Sequence, residues 1–408
     1  MEGSFVLTLA LIGCGGMGCR HIRGLARLRE VGEQRFRLAA AIDIFGANAE
    51  KAADLADELL GERPQVFSSL QVARAALGEI NAIIVTTAPD SHAGVGIEAM
   101  SAGIDVMVEK PIALTVRQGI ELMQAAESSG RKLAVAENYR RDPINRLAKS
   151  LIESGVLGHI YLAVQSSSGS GEKVIITPWR HRKQSGGIVV DMGIHYADLF
   201  EYFLGPIEQV FGFNATIDQQ RIGTDDSLHE VDAEDFTAGV AKFESGAIAN
   251  YLVDLAGRGK GHFTRLIHGT GGSLSIPHDR SGKPLELTLR RNGEDVVVSP
   301  EEQLALVPGF ELDDVTAKLF GGKRLGSYEM PFVDIDAGLL AIEQADFADA
   351  IIENRPPEVD GLGGLRALAI AYGFIEAEQL GRPLSVDTLL TGTDSPYQDE
   401  IMAAAKSA

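Results

Sequence analysis

An aspartate and a histidine stand four residues apart in Gly186-Gly187-Ile188-Val189-Val190-Asp191-Met192-Gly193-Ile194-His195. On a helix, that spacing places both side chains on one face, a turn apart. A carboxylate beside an imidazole can move protons near neutral pH, because histidine titrates there. Alone, the pair reads equally as a helix-capping aspartate and a half-buried histidine. A lysine adds weight. Glu109-Lys110-Pro111 closes an apolar run, where an ammonium can project into a crevice and stabilise developing alkoxide charge.

A second constellation speaks for a cofactor. Gly13-Cys14-Gly15-Gly16-Met17-Gly18 fits G-x-G-x-x-G, directly after an apolar run and at the start of a helical pattern, the context this motif requires. Gly13 permits the tight turn, Gly15 lets backbone approach a pyrophosphate, and Gly18 allows close helix–strand packing. Gly16 and Met17 open the helix, whose free N–H groups attract phosphate. Asp43 ends the next apolar run, 25 residues beyond Gly18. A carboxylate there accepts from ribose hydroxyls and repels a 2′-phosphate. Ile44 and Phe45 follow, with no arginine to hold such a phosphate. NAD is expected, in preference to NADP. Thr87, Pro89 and His92 follow a later apolar run, at a strand end where ligands bind in open α/β sheets. The same stretch also reads as a proline turn, with Asp90 or Ser91 capping the next helix.

These groups need scaffolds. Through residue 138, apolar runs alternate with helical patterns: strands at Phe5–Ile12, Phe36–Ile44, Val66–Ser68, Ala82–Thr87, Ile104–Val108 and Leu133–Ala136. Helices at Gly16–Leu28, up to Leu60, at Ser91–Ala102 and at Thr115–Ser129 lie between them. Such alternation predicts a doubly wound parallel sheet. After a helix at Pro143–Glu153 the texture becomes strand-rich, with runs at Ile160–Ser168, Val210–Ile217, Phe236–Phe243, Ala247–Leu255, Thr264–His268 and Leu285–Arg291. Short connections predict a large, open, mostly antiparallel sheet. Helices near Leu339–Glu353 and Gly364–Leu380 are expected to cross it or return to the first sheet. Segments 218–235 and 300–332 read as loops or insertions. The expected division is an NAD-binding domain over 1–138 and an α+β domain for substrate and oligomerisation over 139–408.

A chain of 408 residues exceeds one ordinary core, so two domains fit its length. A net charge of −20 disfavours nucleic acid and anionic membrane as partners. No run of about 20 apolar residues is present to span a bilayer, and no secretory leader precedes the first strand. Two cysteines, Cys14 and Cys19, are too few for a disulfide framework or a zinc site. Even with His21 they supply too few ligands, so no metal is expected. A reducing cytoplasm is the expected location.

The glycine motif, Glu109-Lys110-Pro111, and the run from Gly186 through Asp191, His195 and Asp198 occur in an order that resembles the GFO/IDH/MocA family, the glucose-fructose oxidoreductase, inositol dehydrogenase and rhizopine-catabolism proteins. The resemblance covers most of the chain. It implies a Rossmann domain followed by an α/β domain with an open sheet, and Lys110, Asp191 and His195 as the catalytic set. It implies cofactor contacts at Glu109, Lys110 and Asn138, and substrate contacts at Lys110, Tyr139, Arg140, Asp191 and His195. Tyr139-Arg140-Arg141-Asp142-Pro143 departs from the Arg-Arg-Phe-Asp-Pro run of many members. Homodimers or homotetramers through the open sheet are also implied.

The residues themselves leave some roles open. His195 or Lys110 is the terminal base, Asp191 orients substrate or tunes its neighbours, and Asp198 can orient the imidazole. Trp179 offers a sugar-stacking face and Arg180 hydrogen-bond donors, although a packed loop tryptophan is an equal reading. Three functions follow. One is NAD-dependent oxidation at a secondary carbinol of a sugar, glycoside or cyclitol. A second is a redox-assisted glycosidase, and a third is a non-catalytic nucleotide-sensing regulator.

Overall fold

The computed structural model describes residues 6–407; Phe5 of the expected first strand lies outside the described residues, as do the outermost ends of both expected domains. Alternation in the first third becomes β1 (Leu7–Ile12), α1 (Gly16–Glu30), β2 (Phe36–Ile42), α2 (Gly46–Leu60), β3 (Gln65–Phe67), α3 (Leu70–Leu77), β4 (Ala82–Val85), α4 (Pro89–Ser101), β5 (Asp105–Glu109), α5 (Val116–Ser129) and β6 (Leu133–Ala136). All strand pairs are parallel, in the order β3-β2-β1-β4-β5-β6. Every residue of β4, β5 and β6 is buried, as helices on both faces require. The strand order reverses between β1 and β4. Their C-terminal ends open the crevice where such sheets bind ligands. Gly13, Thr86, Lys110 and Asn138 follow or flank these ends.

A single 3-10 turn, Tyr139–Arg141, leads into α6 (Pro143–Glu153) and β7 (Ile160–Ser170). Two more, Pro178–His181 and Lys183–Ser185, precede α7 (Ile188–Leu204). Next come β8 (Ile207–Ala215), β9 (Gln220–Ile222), β10 (Leu228–Glu230), β11 (Phe236–Phe243), β12 (Ile248–Gly257), β13 (His262–Gly269), β14 (Gly272–Ser275), β15 (Glu286–Arg291) and β16 (Glu294–Val298). The chain ends with α8 (Pro300–Leu306), α9 (Asp314–Phe320), α10 (Phe332–Ile352), α11 (Gly361–Leu380), β17 (Leu384–Ser385), α12 (Val386–Leu389) and α13 (Pro396–Ser407). The second sheet has nine strands, in the order β16-β15-β14-β13-β7-β12-β11-β8-β17. Only β7 and β12 pair in parallel.

Both late helices are apolar and buried around most of their circumference. Helix α10 returns to the first sheet. A Cβ on Gly24 of α1 would stand 3.1 Å from Leu340, so glycine sets the close approach. Helix α11 does both expected things. Its Phe374 lies on Gly212 and Gly239 of the second sheet, and its Gly364 lies against Val135 of β6. Val135 N also donates to Val359 O, just before α11.

Neither expected insertion is featureless. Segment 218–235 carries the β9–β10 hairpin, anchored by the fully buried Arg221. Its guanidinium donates to Asp235 and to the carbonyls of Gly171, Lys173 and Leu255. Segment 300–332 holds α8 and α9; Val315, Leu319 and Phe320 pack with Leu28 and α10.

Candidate active site

The cofactor motif behaves as its spacing requires. Gly13 has φ +92°, and a Cβ there would lie 2.7 Å from Thr87 N. A Cβ on Gly18 would collide with the Gly13 carbonyl oxygen, whereas Gly15 and Gly16 face open space. Helix α1 begins with no side-chain cap and no acid in its first turn. Its first N–H groups therefore remain available to a phosphate. Met17 Sδ rests 3.2 Å from Arg20 Nη1 on the same helix. Asp43 accepts from Cys14 N and Phe45 N, each at 2.8 Å, which ties the glycine loop to the end of β2. Each carboxylate oxygen keeps acceptor capacity for a ribose. Asn138 Oδ1 is buried without a hydrogen-bond partner among the described residues. The open cradle, the uncapped helix and this orphaned oxygen fit a dinucleotide.

Other expected cofactor residues turn inward. His92 is buried and faces two backbone carbonyls, Pro111 at 2.8 Å and Thr87 at 3.1 Å. It braces two loops of the crevice instead of presenting its ring to a ligand. The Thr87 hydroxyl meets Ser91 at 2.6 Å. Helix α4 starts at Pro89, and neither Asp90 nor Ser91 caps it. Glu109 is also buried. It accepts from His21 Nε2 at 2.9 Å and from Lys110 N at 3.1 Å.

His21, Glu109 and Glu343 bring potential ligand atoms within 4.8 Å of one another, a cluster that the sequence reading did not anticipate. Gln344 Nε2 donates to His21 Nδ1 at 3.0 Å and to His21 O at 2.9 Å. With Gln344 donating to Nδ1, His21 Nε2 is left to donate to Glu109, which ties α1 to the end of β5, while Glu343 makes no hydrogen bond among the described residues. Burial, with Asp43 beside it, pushes the Cys14 thiol up to about 12, far from the thiolate that metals bind.

The two motifs of the reactive set meet across the crevice. Lys110 Nζ donates to Asp191 Oδ1 and to the Asp191 carbonyl, both at 2.9 Å. Arg180 Nε reaches Asp191 Oδ2 at 3.3 Å. Burial favours the neutral acid at Asp191, but Lys110 and Arg180 outweigh it and hold the carboxyl below its usual range. One turn on, His195 Nδ1 is 2.8 Å from both oxygens of Glu137. Its Nε2 makes no hydrogen bond among the described residues. Tyr139 stacks flat on the imidazole, with ring centroids 3.9 Å apart and planes 5° off parallel. Burial, and then Lys110, hold His195 well below its ordinary value.

Several assignments change. Asp198 does not orient His195. It is committed to a bidentate pair with Arg140, and Glu137 takes the place expected for it. Arg140, expected at substrate, is held by that pair and lies over the Tyr202 ring. Tyr139 is 4% exposed, so it backs the imidazole more than it faces a ligand. One face of Trp179 is covered by Arg180, 4.3 Å from the ring centroid. Both residues line a narrow cavity with Pro89, Pro111, Val190 and Asp191. Beyond Arg180, Arg182 pairs with Asp232, Lys183 with Glu400, and His181 Nε2 accepts from Ile175 N.

Glu137 is the residue that sequence reasoning missed. Its signal was a carboxylate directly after the apolar run Leu133–Ala136, at a strand's C-terminal end. Arg280 and Asp336 were missed too. Arg280 donates to Tyr139 OH at 3.1 Å and to Asp336 at 3.1 Å, and Asp336 also pairs with Arg20 of α1.

A Rossmann crevice whose Lys110 meets Asp191 and His195 of α7 has the form of a nucleotide-dependent oxidoreductase. Residues 7–137 match the oxidoreductase family with an NAD-binding Rossmann fold, and residues 145–275 match the GFO/IDH/MocA C-terminal domain. The chain belongs to the GFO/IDH/MocA family of oxidoreductases, and its first domain binds NAD. It is 27% identical to levoglucosan dehydrogenase of Pseudarthrobacter phenanthrenivorans over 294 residues, 67% of this chain and 74% of that protein. It is 24% identical to 1,5-anhydro-D-fructose reductase of Ensifer adhaerens, over 89% of this chain and 96% of that one. An NAD-binding oxidoreductase from Klebsiella pneumoniae has the same fold, with a TM-score of 0.75 at 22% identity, covering 94% of this chain and 99% of that one.

Proposed function

We propose that the protein oxidises a secondary carbinol of a sugar, glycoside or cyclitol with NAD, or reduces the matching ketone. The observation that carries this reading is the Lys110–Asp191 ion pair, which joins the two halves one helical turn from His195. Bound NAD supplies the hydride acceptor. The protein's own residues handle the proton. His195 Nε2 takes it from the hydroxyl. An ammonium has no lone pair to offer, so Lys110 donates to the substrate oxygen and stabilises the alkoxide. Asp191 holds Lys110 in place and accepts from a neighbouring hydroxyl.

Substrate class rests on the relatives, whose names include levoglucosan dehydrogenase and inositol 2-dehydrogenase. Trp179 and Arg180, which line the narrow cavity beside Asp191, offer the substrate a ring edge and hydrogen-bond donors. A homodimer or homotetramer forms through the open face of the second sheet. The test is NADH formation over a panel of inositols, aldoses, anhydrosugars, uronic acids and glycosides. Turnover of at least one carbinol is expected. Aglycone release without net NADH would point instead to the glycosidase chemistry.

A further inference from the structure

We propose that Glu137 is a positioning residue for this reaction, fixing the His195 proton on Nδ1 so that Nε2 faces the substrate as a base. The inference rests on the carbinol-oxidising reading of the same site.

The geometry is specific. Both Glu137 oxygens lie 2.8 Å from Nδ1, and Oε1 also accepts from Tyr139 N at 3.0 Å. An oxygen that accepts from two N–H groups suits the ionised carboxylate. Nδ1 then carries the proton, and Nε2 keeps its lone pair. The ring has little freedom to turn, because Tyr139 covers one of its faces. Tyr139 is in turn held by Arg280, whose guanidinium lies over its ring and donates to its hydroxyl. Asp336 holds Arg280 and is itself clamped by Arg20 from the Rossmann helix. A chain of contacts thus runs from α1 to the orientation of the imidazole.

Glu137 also gives the site a pH dependence. Burial pushes it up to about 7, against the opposing pull of Lys110 and Arg140. The charged groups around the pair are Lys110 and Glu109 at the end of β5, and Arg140 on the 3-10 turn. Asp191 and Asp198 stand on α7, Glu343 on α10, and Asp279 and Arg280 after β14. Once Glu137 is protonated it donates to Nδ1 and the ring proton sits on Nε2; as Nε2 gives that proton to a ketone oxygen, the Glu137 proton passes onto Nδ1, so the pair acts as the acid and ends as carboxylate and neutral imidazole. Oxidation therefore favours the alkaline side of neutrality, and ketone reduction the acid side.

Two measurements test this. In NAD-loaded full chain with 15N-labelled histidine, the His195 signal, assigned by its loss in His195→Gln, should show Nδ1–H and bare Nε2 at alkaline pH. This reading needs no substrate, so it stands apart from whether the right carbinol has been found. An Nε2–H tautomer at alkaline pH would overturn the proposal. Glu137→Gln keeps an oxygen toward Nδ1 but removes the charge. Its kcat for oxidation should fall by about 100-fold or more, with KM nearly unchanged and the limb of the kcat profile near neutrality displaced. Wild-type kcat with an unmoved profile contradicts a positioning role. Thermal unfolding of the variant separates either result from misfolding.

Discussion

Lys110 and His195 carry separable duties. Lys110→Ala and His195→Ala should each lower kcat/KM by about 100-fold or more, while the NAD Kd stays within a few-fold of wild type. Neither side chain belongs to the glycine cradle. Calorimetric titration with NAD, beside turnover, checks both halves. Gly18→Ala should do the reverse. Its new Cβ collides with the Gly13 carbonyl oxygen, so NAD affinity should collapse first. Strong NAD binding by Gly18→Ala would contradict the assigned role of the loop. At this scale the sequence was informative where a local pattern sets the backbone, as for Gly13 and Gly18, and the structure brings Lys110 and Asp191 together with His195 one turn on. The sequence was silent on which acid meets which base. Asp198 lies three positions from His195 yet turns to Arg140, whereas Glu137 arrives from 58 positions away. Only the fold decides that competition.

At the scale of elements, the strands of the first sheet were legible because continuous apolar runs mark strands buried on both faces. Helix α3 was not, since only Leu70 and Ala73 of its eight residues are buried. Strands β14 and β16 were missed because they are only four and five residues long, each following directly on a glycine-containing turn. Helix α10 was legible as a helix, but its buried acid was not anticipated. Glu343 is fully buried and both its oxygens lack hydrogen-bond partners among the described residues. Burial, reinforced by Glu109, raises it well above the ordinary carboxylate value. A carboxyl raised in the folded state contributes full stability below its unfolded pKa, about 4.3, and loses it as pH rises through the folded value. Glu343→Gln removes that loss. Its stabilising effect should therefore be larger at about pH 8 than at about pH 5. Urea unfolding at the two pH values measures the difference, and an equal effect at both would contradict a neutral buried acid.

At the scale of the whole molecule, α10 and α11 lock the two sheets together. The Arg20–Asp336 pair adds a bond between residues 316 positions apart. No local pattern announces such a pair. The second sheet is packed on one face by α7 and α11. Its other face carries Phe213, Val240 and Ile248, which are 62%, 48% and 42% exposed. The strand registers align these side chains on one surface. Apolar surface of this kind, continuous across strands, is commonly buried between subunits. Phe213→Asp should shift the proposed oligomer toward monomer in sedimentation analysis and leave NAD affinity unchanged, because β8 is remote from the glycine loop. An unaltered sedimentation profile would place the interface elsewhere.

In the proposed reaction, bound NAD and the Lys110–Asp191–His195 set together oxidise a carbinol. The most direct measurement is NADH formation by the wild-type protein across the polyol and sugar panel, with His195→Ala run alongside. NADH is expected from at least one inositol, sugar or anhydrosugar, rising on the alkaline side of neutrality and lost in the variant. Tight NAD binding with no NADH from any carbinol and no NAD+ from any matching ketone, or turnover that survives His195→Ala, would contradict the proposed reaction.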